Sequence, residues 1–193
     1  MVNGDVRRMK LMYSLMCSLP GAVIVNLGEE IGLGEDLSLW DREAARTPMQ
    51  WTPGRNGGFS AARRTHLYRP VVNRGRFRAG VVNVQAQQDD PNSLLHFVRR
   101  ALHVCRDTPA LAGGDWAFLD AGHPGVLAQL SQDGTNGQSV LALHNLTEQT
   151  LTVHLPDVAG RRALLGSGHA VQGSDLTLDP YGSVWLGDEE DHA

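Results

Sequence analysis

The chain has 193 residues, 41% of them hydrophobic and 20% charged, the balance of an ordinary globular protein with length for one or two domains. Seventeen basic side chains against 21 acidic ones leave a net charge of −4, which excludes nucleic-acid binding through an overall basic surface. The two cysteines, Cys17 and Cys105, are too few for a disulfide framework or a zinc site and fit a reducing, cytoplasmic compartment.

Asn3 or Asp5 can cap a first helix running to about Leu19, with Val6, Met9, Met12, Met16 and Leu19 recurring at helical spacing. Arg7, Arg8 and Lys10 before the apolar run imitate a signal peptide, but Ser14 and Ser18 interrupt the run and no small-x-small site follows. The run is also far short of the roughly 18 apolar residues of a membrane helix. An amphipathic core helix is the expectation. Pro20-Gly21 stops it, and residues 22–27 form a short, wholly apolar run that suits a parallel strand buried on both faces.

From Gly28 to about Gln88 the sequence is loop-like, punctuated by Gly, Pro, Asn and Arg; a loop of this length usually serves binding or is disordered. A second helix is expected from about Pro91 to Arg106, capped by Asn92 or Ser93, with Leu94, Leu95, Val98, Leu102 and Cys105 on its apolar face. After Pro109 the hydrophobic period becomes two. Candidate strands are 116–119, 126–130, 139–145, 150–155, 162–165 and 183–186, separated by turn dipeptides such as Asp133-Gly134, Pro156-Asp157 and Asp179-Pro180. Short strands at this spacing predict an antiparallel β-sandwich, with Trp116 and Trp185 in its core. The expected domains are 1–110, 111–188 and an acidic tail, 189–193.

The stretch from Pro20 to Gly32, then Asp41-Arg42, and above all Arg46-Thr47-Pro48-Met49-Gln50-Trp51 followed by Asn56 and Gly58-Phe59-Ser60, carry a specific pattern. Val82-Asn83-Val84, Gln87, Asp90-Pro91 and Ser93-Leu94-Leu95 continue it. It resembles the alpha-amylase family of glycoside hydrolases, in the branch of trehalose synthases and oligo-1,6-glucosidases. The resemblance covers about residues 4 to 110 well and the sandwich more loosely. It implies a partial (β/α)₈ barrel, contributing the last strand (22–27) and its flanking helices, followed by a C-terminal antiparallel β-sandwich. A complete barrel takes about 250 residues.

The same resemblance places the nucleophilic aspartate, the acid glutamate and a stabilising aspartate on barrel strands four, five and seven, ahead of the matched region. No catalytic residue is therefore expected in this chain, and no cofactor or metal. Any calcium site would lie largely outside it. Substrate contacts implied by the resemblance are Arg46, Gln50, Trp51, Glu29 and Glu30, with Arg46 reaching the nonreducing end of the sugar. The plain alternatives are that Arg46 pairs with Asp36, Asp41 or Glu43, that Trp51 anchors the loop, and that Glu29 and Glu30, pointing to opposite sides of an extended segment, cap or face solvent. Where relatives carry a tyrosine just before Gly28, this chain has Leu27. The eight histidines form no metal-ligand spacing.

Three functional readings follow. The chain is the C-terminal portion of an enzyme acting on maltose, trehalose or short α-glucosides and inactive alone, its unpartnered apolar faces predicting partial disorder before about Pro91, self-association or poor solubility. Alternatively it is a non-catalytic carbohydrate-binding or partner-docking module. The third reading is one half of a split enzyme whose N-terminal barrel is a separate chain. None involves nucleic acid or a membrane.

Overall fold

The computed structural model describes residues 2–188; the acidic tail expected at 189–193 lies outside them. Helix α1 spans Val6–Ser18. Of its two candidate caps, Asp5 does the work: its carboxylate accepts the Arg7 amide at 2.9 Å and its carbonyl accepts the Met9 amide at 3.0 Å. Helix α2 is the short Val84–Gln88. Helix α3 spans Leu94–Asp107 and is capped by Ser93, whose hydroxyl accepts the His96 amide at 3.3 Å. A last turn of helix, α4, covers Pro109–Gly113.

The expected strand at 22–27 does not form. Its backbone runs free of any strand partner, and Ile24 and Leu27 are 73% and 70% exposed. An apolar run becomes a parallel strand only where neighbours accept and donate its backbone hydrogen bonds, and among the described residues none lies beside it.

The chain divides into two compact units. One comprises Ile24–Arg99 with the N-terminal residues up to Met9. It is largely loop, with single 3₁₀ turns, and its core gathers Ile31, Met49 and Val84 against Leu33, Val82 and Leu95. The other comprises Lys10–Val23 and the chain from Arg100 onward.

The second unit holds six antiparallel strands: β1 (Asp115–Leu119), β2 (Val126–Gln132), β3 (Ser139–Asn145), β4 (Leu151–His154), β5 (Arg161–Gln172) and β6 (Asp175–Asp188). They join in the order β1-β2-β3-β6-β4, with β5 also on β6. The last two strands are far longer than the four-residue runs read from the sequence. They form one hairpin around Gly173 (φ 62°). Asp179-Pro180 breaks no strand; it marks where β6 changes partner, pairing with β4 over 175–178 and with β3 over 183–187. At this bend Tyr181 has φ 62°, and a Cβ on Gly182 would sit 2.2 Å from the Gly168 carbonyl oxygen, so only glycine fits.

Bending the hairpin folds the sheet into a sandwich. Leu141, Leu143, Leu176, Leu178, Val184 and Leu186 meet inside it, each at most 1% exposed. Strand β3 is buried on both faces. Its outer side, with Ala142 beside Trp185, lies under residues 10–18 of α1. There the Trp185 indole N–H donates to Ser14 Oγ (2.9 Å), which sits 2.9 Å from His144 Nε2, and the Gln129 amide donates to the Ser18 carbonyl (2.7 Å). The amphipathic helix is thus fastened through polar atoms that burial leaves no water to satisfy. Trp185 is a core residue. Trp116 is not: it lies on edge strand β1, 47% exposed, edge-on to Phe118 at 5.3 Å.

Candidate functional site

Two left-handed glycines shape the first part of the loop. Gly28 (φ 90°) and Gly32 (φ 69°) bracket a 3₁₀ turn, Glu29–Ile31, and a Cβ on Gly28 would strike Leu33 at 2.5 Å. The two glutamates therefore sit on a turn, not on the extended segment expected, and both bond back along the chain. Glu29 accepts from the Asn26 backbone amide (3.1 Å) and side-chain amide (2.9 Å); Glu30 accepts from the Gly28 amide (2.7 Å). The turn is held from outside by Gln87, which donates to the Ile31 carbonyl (2.7 Å) and accepts from the Leu95 amide (3.0 Å).

In the run from Arg46 to Trp51 the two ends are exposed, and Thr47, Met49 and Gln50 are buried. Arg46 is exposed and bonds Glu43 at 3.3 Å, one of the three partners expected for it. The same Glu43 takes Arg69, and the two guanidinium groups hold its carboxyl below the usual range, Arg69 contributing most. Asp36 is likewise held low, by the hydroxyl and backbone amide of Ser38.

Gln50 is placed inside the loop and not on a sugar-facing wall. It is 0% exposed, and its amide nitrogen donates to the carbonyls of Phe77 (3.0 Å) and Val82 (2.7 Å). The backbone carbonyl of Gln50 accepts the Val84 amide, and that of Trp51 the Gln85 amide, while the Trp51 amide donates to the Gly57 carbonyl (2.7 Å). Gln50 and Trp51 together pin the two ends of a loop more than 30 residues long. The Trp51 ring remains 46% exposed.

Of the five expected substrate contacts, Glu29 and Arg46 are brought together. They line one open cleft of about 620 Å³ with Asn26, Leu27, Glu35 and Arg42. Glu30, Gln50 and Trp51 are not on its wall. Leu27, at the position where a tyrosine was expected, presents an apolar surface to this cleft. The loop anchors Asn83 and Gln87 entered the sequence reading only as part of a motif. Asn83 is 1% exposed, caps α2 by accepting the Ala86 amide, and donates to the Ala79 carbonyl. An Asn directly before an apolar helical residue is the cap signal that could have marked it. Among the described residues, no three His, Cys, Asp or Glu side chains group to hold a metal ion. Nor is any helix long and apolar enough to cross a membrane.

A loop-rich unit followed by an antiparallel sandwich is the architecture that known proteins can be compared with. The alpha amylase catalytic domain matches residues 1–114, and the chain belongs to the alpha-amylase family. Residues 124–186 match the C-terminal immunoglobulin-like domain of D-apionate lactonase.

Among curated relatives, the trehalose synthase/amylase TreS of Mycobacterium tuberculosis is 41% identical over 148 residues, covering 76% of this chain and 25% of the relative. A probable alpha-glucosidase of Rhizobium meliloti is 32% identical over 163 residues, covering 76% of this chain and 28% of the relative. The chain thus spans about a quarter of the length of these relatives. The crystal structure of the trehalulose synthase MutB from Pseudomonas mesoacidophila shares the fold, with a TM-score of 0.76 at 21% identity over 94% of this chain and 38% of that one.

Proposed function

We propose that this chain is the C-terminal part of an enzyme that rearranges or hydrolyses maltose and short α-glucosides, and that alone it does not cleave them. The observation that carries the reading is the convergence of Glu29 and Arg46 on one cleft just beyond the Gly28 turn. A guanidinium fork suits sugar hydroxyls, and its partner Glu43 is close enough to steer it without burying it. The higher identity to a trehalose synthase than to an α-glucosidase favours rearrangement of maltose to trehalose.

Inactivity of the chain by itself is supported by what its carboxylates do. Retaining glycosidases need two carboxyl groups about 5–5.5 Å apart, one of them protonated. Here Glu29 and Glu30 accept amides of their own turn, and Asp36 and Glu43 are held in the ionised form by Ser38 and by Arg69 with Arg46. Neither Asp36 nor Glu43 is poised to give up a proton. The test is proton NMR of maltose incubated with the purified chain, and with a chimera in which the chain replaces the matching region of the M. tuberculosis enzyme. We expect no trehalose or glucose from the chain and turnover from the chimera, reduced by Arg46→Ala. Turnover by the chain alone would sink the reading.

A second reading, a sugar-binding role for the sandwich, is favoured by the exposed Trp116 and Phe118 rings, which offer apolar faces of the kind sugars stack on. Calorimetric titration with maltooligosaccharides would show heat that Trp116→Ala abolishes.

A further inference from the structure

Charge is sharply segregated along this chain. Residues 44–88 contain eight arginines and no aspartate or glutamate, whereas the rest of the chain carries nine basic residues against 21 acidic ones. Among the described residues, Glu43, just outside the stretch, is the carboxylate that forms ion pairs with it, holding Arg46 and Arg69. Asp36 also feels Arg64 electrostatically, and among the described residues no carboxylate forms an ion pair with Arg78.

These two arginines converge on one cavity. An open pocket of about 210 Å³ is lined by Arg64 and Arg78 with Asn56 and Asn73. No carboxylate lines it. Arg78 is oriented from behind, its Nη1 donating to the Gly75 carbonyl at 2.9 Å. Asn56 is locked in a left-handed conformation (φ 51°), its side-chain amide donating to the Ser60 and Ala62 carbonyls. Gly80 leaves the rim open: a Cβ there would meet nothing nearer than 3.9 Å. A neighbouring pocket, which shares Arg64 and Asn73 with this one, contains Glu35 and Asp36 and so lacks this one-signed lining.

We propose that the pocket between Arg64 and Arg78 is a binding site for a phosphoryl oxyanion, either free phosphate or the phosphate of a phosphorylated sugar. The two guanidinium groups, with the side-chain amide of Asn73, suit such an anion, since N–H donors match its oxygens and charge assistance strengthens each bond, while Asn56, its amide spent on Ser60 and Ala62, shapes the wall.

The test is calorimetric titration of the full chain with inorganic phosphate, with glucose 1-phosphate and with neutral glucose, at fixed ionic strength. Phosphate or the sugar phosphate should bind, and glucose should not compete. Tighter binding of the sugar phosphate assigns the physiological source to a phosphorylated sugar; equal affinity assigns it to free phosphate. The double substitution Arg64→Gln with Arg78→Gln should weaken binding about tenfold or more, while Arg99→Gln leaves it unchanged. Because the double variant could perturb the loop, a second measurement uses the unaltered chain. Phosphate should protect Arg64 and Arg78 from phenylglyoxal, read by mass spectrometry, and leave the modification of Arg55 and Arg99 as it was. Absence of binding by both phosphates, equal weakening by the Arg99 control, or uniform protection of all arginines would overturn the proposal.

Discussion

His144 offers a direct measure of how the helix is fastened to the sandwich. It is 1% exposed, on the outer face of β3, with Ser14 against its Nε2. Burial pushes its pKa from 6.5 down to about 4, a fall only partly offset by hydrogen bonding to Ser14 and near Leu127. The folded protein therefore holds the ring neutral in a range where the unfolded chain takes up a proton. Stability from this residue is complete above pH 6.5 and is lost as pH falls from 6.5 toward 4. A separation of about 2.5 pK units corresponds to about 3.4 kcal/mol once both forms are protonated, and to about 2 kcal/mol at pH 5. Urea unfolding at pH 7.5, 6, 5 and 4.5, followed by tryptophan fluorescence, measures this against His144→Asn, which keeps a polar side chain and cannot titrate there. The wild type should lose about 2 kcal/mol more than the variant between pH 7.5 and pH 5. Parallel curves for the two proteins would mean that His144 is not buried neutral, and the account of the helix–sandwich contact would fall.

Three further outcomes are expected. Gly182→Ala should destabilise the sandwich by roughly 3 kcal/mol or more, since its Cβ meets backbone and not a flexible side chain, while Gly134→Ala, with nothing within 4 Å, should cost under about 1 kcal/mol; thermal unfolding separates them. Gln50→Leu should strip the Phe77 and Val82 carbonyls of their buried donor, at roughly 1–3 kcal/mol for each, and limited proteolysis should then cut within residues 52–82 at lower protease concentration. Burial pushes the Cys17 thiol up to about 12, so a thiol reagent at pH 8 should label the half-buried Cys105 first and Cys17 only on unfolding; equal rates would contradict the packing of α1.

Much of this protein was legible residue by residue because local chemistry decides it. Asp5 and Ser93 announce the starts of α1 and α3, since a short oxygen-bearing side chain satisfies the first free amides wherever the helix later packs. Strand β3 was readable to the residue, its apolar run being bounded by turns on both sides. The run from Arg46 to Trp51, with the matching residues on both sides of it, carried the family resemblance. What the sequence could not decide depends on who stands beside whom. The apolar segment 22–27 reads as a strand, yet pairing needs neighbours that none of the described residues supplies. Asp179-Pro180 reads as a strand end, but β6 runs through it because the two halves of one strand find different partners. Gln50 reads as a sugar contact and Trp116 as core, and their places are reversed: loop closure buries the amide against two distant carbonyls, and the indole lies exposed on an edge strand. Capping and periodicity act over a few residues and are written in the chain, whereas burial and strand partnership are properties of contacts between residues far apart in it, which only the folded structure fixes.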